Sequence, residues 1–145
     1  MGKKVISDTN GLWLIENGQK KLVKSYKMTF HGHYPMGYVN PEISADGKKL
    51  LYINRTQRPW EEIIFSTYKM AVRNGTLNII NLETMNDSIL VHYLVYVPIL
   101  SKNQKFCAYT KVNYNDKETD LLEILDMNNG VKNQLENVDL YFWFK

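Results

Sequence analysis

Two histidines separated by one residue form the most metal-like motif of the chain. His31 and His33 lie in HGHYP (31–35), so both imidazoles can reach a common ion. Zinc and iron sites need three or four such ligands, and the remaining histidine, His92, follows a strand-like apolar run. Carboxylates from other loops could complete a site, but no spacing requires it. We therefore favour two exposed histidines on a binding surface, and we predict no bound metal or cofactor.

A second group of reactive side chains lies in QRPWEEI (57–63). It contains Arg58, Trp60, Glu61 and Glu62. Tryptophan and arginine are over-represented among the residues that dominate protein–protein binding energies. The alternative is that Trp60 folds back and covers the open side of a neighbouring sheet. The segment therefore predicts either a binding loop or a local cover.

Tyrosines and carboxylates in other predicted loops extend this surface. They are Tyr34, Tyr38, Tyr114, Asp116, Glu118 and Asp120. Tyrosine provides amphipathic contact area, and an aromatic, acidic surface suits a basic protein partner, such as a nuclease. Plain solvation is the alternative for the acidic residues. Direct binding of nucleic acid is not expected, because the net charge is only +3, from 18 basic and 15 acidic residues, and the lysine pairs are scattered.

Motifs for catalysis are not found in the sequence. It contains no G-x-S-x-G, no H-E-x-x-H and no phosphate-binding glycine loop. The one cysteine, Cys107, lies among apolar residues, which is typical of a buried thiol rather than a nucleophile. We predict a non-enzymatic protein. The alternative is a lyase-like or hydrolase-like enzyme that uses His31 and His33 on a metal.

Length and hydropathy predict one soluble domain over residues 1–145. The chain is 44% hydrophobic, which is enough for a core. Its N-terminus has no apolar segment typical of a secretory signal. The longest apolar run, 89–100, is shorter than the roughly 20 residues that a membrane-spanning helix needs. We therefore expect a cytoplasmic protein without membrane contact.

The elements that must position these residues are predicted to be β-hairpins. Residues that tolerate positive φ separate β-prone runs at Asn17-Gly18, Asp46-Gly47, Asn86-Asp87 and Asn128 to Gly130. No segment keeps a helical period, and EEIIFSTYKMAV (61–72) favours a strand. The pattern predicts an all-β protein of about ten to twelve short strands.

The hairpins repeat along the chain. PEISADGKKLLYI (41–53) recurs as PILSKNQKFCAYT (98–110), at an offset of 98 − 41 = 57 residues. A second hairpin type alternates with the first, at 11–23, 76–93 and 120–135. With the first type written AB and the second CD, the chain reads CD, AB, CD, AB, CD and a last strand at 139–144. Internal repeats of this length indicate a solenoid or a propeller.

These hairpins resemble the blades of TolB-type β-propellers. ISADGKKLLYIN (43–54) is similar to the family's Ser-Pro-Asp-Gly-Lys turn and the Ala-Tyr strand after it. LNIINLET (77–84) and LLEILDMNNG (121–130) resemble the third strand and its turn. The resemblance implies two to three four-stranded antiparallel blades in an open, partial β-propeller. The second copy departs from the pattern with Lys-Asn-Gln, and a β-sandwich or barrel is the alternative.

A partial propeller has a consequence for function. A ring needs at least about four blades to close, so this chain must self-associate, be sealed by another protein or cap itself with its own loops. Short turns share one end of such blades, and the long connections 24–40, 54–62 and 113–120 gather at the other. We predict that this loop end binds another protein. The most concrete form is a bacterial immunity protein that covers the active site of a toxin or nuclease.

Overall fold

The computed structural model describes residues 2–31, 34–55, 75–92, 94, 98–112 and 120–135. Within these ranges the chain forms twelve strands joined by turns, and no helix, which confirms the all-β prediction. No helix able to cross a membrane is therefore found among the described residues.

The strands form three antiparallel sheets in which strands adjacent in the chain pair with each other. The first sheet contains β1 (Lys4–Asp8), β2 (Gly11–Glu16) and β3 (Gln19–Ser25). The second contains β4 (Thr29–His31), β5 (Tyr34–Ile43), β6 (Lys49–Arg55), β7 (Thr76–Asn81) and β8 (Asp87–Val91). The third contains β9 (Ile99–Leu100), β10 (Phe106–Val112), β11 (Asp120–Asp126) and β12 (Lys132–Leu135).

The second sheet lies between the other two and is buried on both faces. Four consecutive apolar residues of β6, from Leu50 to Ile53, are at most 2% exposed. Leu50 and Tyr52 pack with Leu12 of the first sheet. Leu51 and Ile53 point to the opposite face and pack against β10 and β11 of the third sheet. A continuous apolar run is the pattern expected of a strand that is covered on both sides.

The two AB turns are built from the same hydrogen bonds. Ser44 Oγ donates to Asp46 Oδ1 at 2.6 Å, and Ser101 Oγ donates to Asn103 Oδ1 at 2.7 Å. In both turns the same oxygen also accepts the amide of the residue two positions further on, at 3.0 Å. These equivalent bonds confirm the 57-residue repeat and both predicted AB hairpins.

The turn between β7 and β8 lies earlier than predicted. It spans residues 82–86, and Met85 adopts positive φ, at 61°, instead of Asn86-Asp87. The cause is Asn81, whose Oδ1 accepts the amides two and three positions further on, at 2.9 and 3.1 Å. Asp126 starts the turn before β12 in the same way, at 2.8 and 3.4 Å. A side-chain oxygen at the strand end therefore sets both CD turns.

The prediction of an irregular connection over residues 24–40 is wrong, because most of this segment forms strands. It contains β4 and the larger part of β5. Gly37 lies within β5, and a Cβ at this position would lie 3.2 Å from the ring of Tyr26, so the glycine permits close packing. Pro41, the first residue of the predicted AB hairpin, also lies within β5. It follows Asn40, which has a φ of 52°, where the register of β5 and β6 shifts and a ladder hydrogen bond is not needed.

The opening CD hairpin carries one strand more than predicted. β1 pairs with β2 over its whole length, so the first sheet has the plan BCD rather than CD. The strands predicted at 61–72 and 139–144 lie outside the described residues.

The AB and CD turns share one end of the second and third sheets, as predicted. Leu82 N donates to Lys48 O at 2.8 Å, and Met127 N donates to Lys105 O at the same distance. At the opposite end, the amide of Leu94 donates to the carbonyl of Gly75, just before β7, at 3.3 Å. Leu94 also forms an isolated antiparallel bridge with Lys111 of β10. The described residues that flank 56–74 and 113–119 lie at this second end.

Candidate protein-binding surface

The structure places only part of the predicted loop-end site. His31 ends β4 opposite Tyr34 at the start of β5, so the backbone of both lies away from the short turns. Tyr38 was expected in a loop, but it is 8% exposed and belongs to the core between the first two sheets. The other predicted residues lie outside the described ranges: His33, Arg58, Trp60, Glu61, Glu62, Tyr114, Asp116 and Glu118. Their grouping stays a prediction.

Lys24 of β3 connects the first sheet to the second. Its ammonium donates to the carboxylate of Asp87 and to the hydroxyl of Tyr52, the latter at 2.9 Å. Tyr52 donates to the same carboxylate oxygen at 2.7 Å, and Lys24 lies 4.9 Å from the ring centroid of Tyr38. The Lys24 and Asp87 side chains are 30% and 23% exposed. Since this pair is largely removed from water, its partners stabilise the contact between sheets.

A second polar group occupies the equivalent position in the third sheet. Tyr109, 57 residues after Tyr52, donates its hydroxyl to Glu123 Oε2 at 2.6 Å. Lys111 pairs with Glu123 Oε1 at 2.7 Å. Burial alone would raise the pKa of Glu123, but the hydrogen bonds from Lys111 and Tyr109 outweigh it, so the pKa lies below its usual value. The carboxylate is therefore ionised and held inside the sheet contact.

The buried hydroxyls and the thiol are held in their uncharged forms. Burial, followed by the carboxylate each one contacts, raises the pKa of both Tyr52 and Tyr109. Burial, followed by the charge of Glu42, raises the pKa of Cys107 to about 12. A protonated thiol is a poor nucleophile. These groups therefore support packing rather than acid–base or nucleophilic chemistry.

The tyrosine environments predict a loss of stability at alkaline pH. In the unfolded chain Tyr52 and Tyr109 ionise at their ordinary pKa of 10.0, whereas the folded protein keeps both protons. Below that pH neither state releases them. Above it, each tyrosine lowers the free energy of unfolding by about 1.4 kcal/mol per pH unit. Urea unfolding at about pH 9 and about pH 11 measures this loss.

The matched protein for this test carries Tyr52→Phe and Tyr109→Phe. We expect it to lose clearly less stability than the wild type between the two pH values, because it lacks the two hydroxyls that ionise only in the unfolded chain. An equal loss would show that the two hydroxyls ionise alike in the folded and unfolded states.

The tyrosine groups lie on the same face of successive sheets. In the second and third sheets this face packs on the preceding sheet, and we call it the rear face. The opposite face, which packs on the following sheet, is the front face. The cross-strand rows that contain the tyrosines are Tyr52–Asn78–Ile89 in the second sheet and Tyr109–Glu123–Gln134 in the third.

In the first sheet the equivalent row is apolar. The sequence LWLI (12–15) aligns with LNII (77–80) and LEIL (122–125), so tryptophan replaces asparagine and glutamate at the second position. In the register, Trp13 lies between Ile6 of β1 and Leu22 of β3. Leu12 faces the second sheet, so these three side chains, which we call the rear row, face away from it.

The rear row is open to solvent and bordered by charge. Leu22 is 41% exposed, and Ile6 and Trp13 are half-buried. The ammonium of Lys20 lies 4.2 Å from the ring centroid of Trp13 and pairs with Asp8 at 3.1 Å. An exposed apolar strip with a charged border is typical of a protein-binding surface. The alignment of LWLI with its two repeats is the sequence signal that reveals it.

The third sheet has an open front face. Ile99, Ala108 and Ile124 lie in one cross-strand row, with Phe106 beside them, and we call these four residues the front patch. Ile99 and Phe106 are each 43% exposed. Further along the same face Thr110 is only 2% exposed, so the open area is the part near the short turns.

Comparison with known proteins finds similarity in structure but not in sequence. No protein-family model matches the chain, and no curated protein matches it in sequence. Among solved structures, the chain is similar to the crystal structure of the tricorn protease, with a TM-score of 0.45 and 12% sequence identity. The match covers 91% of this chain and 11% of the tricorn protease chain.

Proposed function

We propose that this protein is a non-enzymatic binding module that holds another polypeptide against its rear row. The observation that carries the proposal is an apolar row at the position where the other two sheets use their rear faces for sheet packing. The polar groups with catalytic potential among the described residues are instead engaged in contacts within and between sheets. Among the described residues, the rear row is an apolar surface that these contacts leave open.

A propeller arrangement of the three sheets would agree with this function. We propose that the three sheets are blades of an open, partial β-propeller. In its support, the second and third sheets share the order A, B, C, D, the same turn bonds and the same tyrosine position. Blades in such an arrangement pack face to face, so an uncovered rear face is a ready surface for a further layer.

The experiment compares the wild type with two charge variants. Each protein is isolated gently from its own cells and analysed by native mass spectrometry. Leu22→Glu places a charge in the rear row, whereas Ile89→Glu places one at a 49% exposed apolar residue of β8. We expect a stoichiometric second chain on the wild type and on Ile89→Glu, and none on Leu22→Glu. A bare monomer in all three would overturn the proposal.

A second form of the function uses the loop end. An inhibitor or immunity protein would cover the active site of a basic toxin or nuclease with Trp60 and Glu61, in a segment where tryptophan, arginine and carboxylates meet. Affinity for an isolated partner should then fall when Trp60→Ala and Glu61→Ala are combined. Unchanged affinity would rule out the loop end.

A further inference from the structure

We propose that the chain covering the rear row is a second copy of this protein, seated through its front patch, so that copies associate head to tail. This inference rests on the proposed function and names the partner of the same surface. The contact would join the rear face of the first sheet in one copy to the front face of the third sheet in the next.

The direction of packing inside the chain supports this contact. The rear face of the second sheet packs on the front face of the first, around Leu12 and Tyr52. The rear face of the third sheet packs on the front face of the second, around Tyr109 and Ile53. Rear on front is therefore the rule for both inter-sheet contacts. The rear row and the front patch are the faces of the described sheets that this rule leaves without a counterpart.

The two outward faces also depart from the repeat in a matching way. Inside the chain, the front face of the second sheet carries Lys49, whose ammonium donates to the carbonyl of Met127 in the third sheet. The residue 57 positions later is Phe106, on the front patch. On the rear side, Ile6 stands where the other sheets have a tyrosine. Both outward faces thus replace a polar group by an apolar one, as a mutual contact requires.

The charged residues that border the two surfaces favour a contact of front patch with rear row over a contact of two rear rows. Lys4 and Lys20 border the rear row, and their only acidic neighbour on this described face is Asp8. Rear on rear would bring like charges together, which is unfavourable. The front patch instead is bordered by Asp126, directly opposite Phe106 in the register. A head-to-tail contact therefore places a carboxylate near the lysines.

The test uses two blocked proteins. Rear-blocked protein carries Leu22→Glu, and front-blocked protein carries Phe106→Glu; both side chains are more than 40% exposed, so folding should be retained and is checked by circular dichroism. We expect purified wild type to form concentration-dependent oligomers in sedimentation and native mass spectrometry. The self-association affinity of each blocked protein alone should be at least about 30-fold lower than that of the wild type. Ile89→Glu, at a 49% exposed residue of β8, is the control that should associate normally.

Mixing the two blocked proteins gives the sharpest result. Rear-blocked protein keeps its front patch and front-blocked protein keeps its rear row, so an equimolar mixture should form a one-to-one heterodimer. Growth should stop there, because both free ends are blocked. A head-to-tail contact is the arrangement that produces this complementation.

Three results would overturn the inference. Purified wild type that stays monomeric at high concentration excludes a second copy. Front-blocked protein that still dimerises shows a rear-to-rear contact. A foreign chain on the rear row of monomeric protein from its own cells excludes a second copy while leaving the proposed binding function intact. Failure of the inference and failure of the proposed function are therefore distinguishable.

Discussion

Gly75→Ala is expected to lower the free energy of unfolding by roughly 3 to 5 kcal/mol. Gly75 precedes β7 and has a φ of 74°. A Cβ at this position would lie 2.1 Å from the carbonyl oxygen of Asn54. That oxygen belongs to the backbone of β6 and cannot turn away as a flexible side chain would. The clash must therefore separate β6 from β7 where Asn54 pairs with Thr76.

Gly130→Ala is the matched control for this change. Gly130 has nearly the same φ, 75°, but nothing lies within 4 Å of its added Cβ. It should therefore lose only the cost of a left-handed alanine, about 1 to 2 kcal/mol. Urea unfolding of both variants measures the difference. Equal losses would mean that the backbone approach of Asn54 to Gly75 contributes nothing.

Asp87→Ala is expected to cost about 3 kcal/mol of stability. The substitution removes the carboxylate that accepts hydrogen bonds from both Lys24 and Tyr52. Because the lysine side chain is only 30% exposed, its charge would remain partly buried without its counter-ion. An unpaired buried charge is far costlier than a missing neutral hydrogen bond.

A double-mutant cycle separates this pair from general damage. Lys24→Met should destabilise as well, but combining it with Asp87→Ala should cost at least about 1 kcal/mol less than the sum of the single changes. The comparison pair is Lys48 and Glu83, 3.1 Å apart but more than half exposed. No measurable coupling is expected there, because solvent screens exposed charges. Similar coupling in both pairs would contradict the bridging role of Lys24.

The hairpins were predictable because their information is local. A turn residue with positive φ between β-prone runs needs no distant partner, and Asp46-Gly47 forms the expected turn. The CD turn before β8 was misplaced because its position depends on the Asn81 side chain rather than on the residue that adopts positive φ. Met85 gives no sequence signal for that role.

Packing between sheets was harder to foresee. Tyr38 was assigned to the long connection 24–40, but it packs in the core between the first two sheets, where Gly37 lies against the ring of Tyr26. Trp13 lies inside an apolar strand, a pattern that by itself favours a core position. Which face of this strand is covered depends on where the neighbouring sheet packs, and no local sequence pattern specifies that. The alignment of LWLI with its repeats carries the missing signal.

The predicted site and the structural candidate differ for the same reason. Loop residues such as Trp60 were chosen by residue type, which identifies chemistry without position. The rear row was found by position, since Ile6 and Leu22 are unremarkable residues until the register places them beside Trp13.

The burial of β6 on both faces has a consequence for how the protein opens. One hydrophobic core covers each face of this strand. When either outer sheet detaches, the core on the other face therefore still protects the amides of β6. Hydrogen exchange from Leu50 to Ile53 should therefore occur only through global unfolding, while amides of β1 and β12 exchange through smaller openings. The exchange of this single strand then reports the stability of the whole protein, whereas the exchange of the outer strands reports only the sheet that contains them.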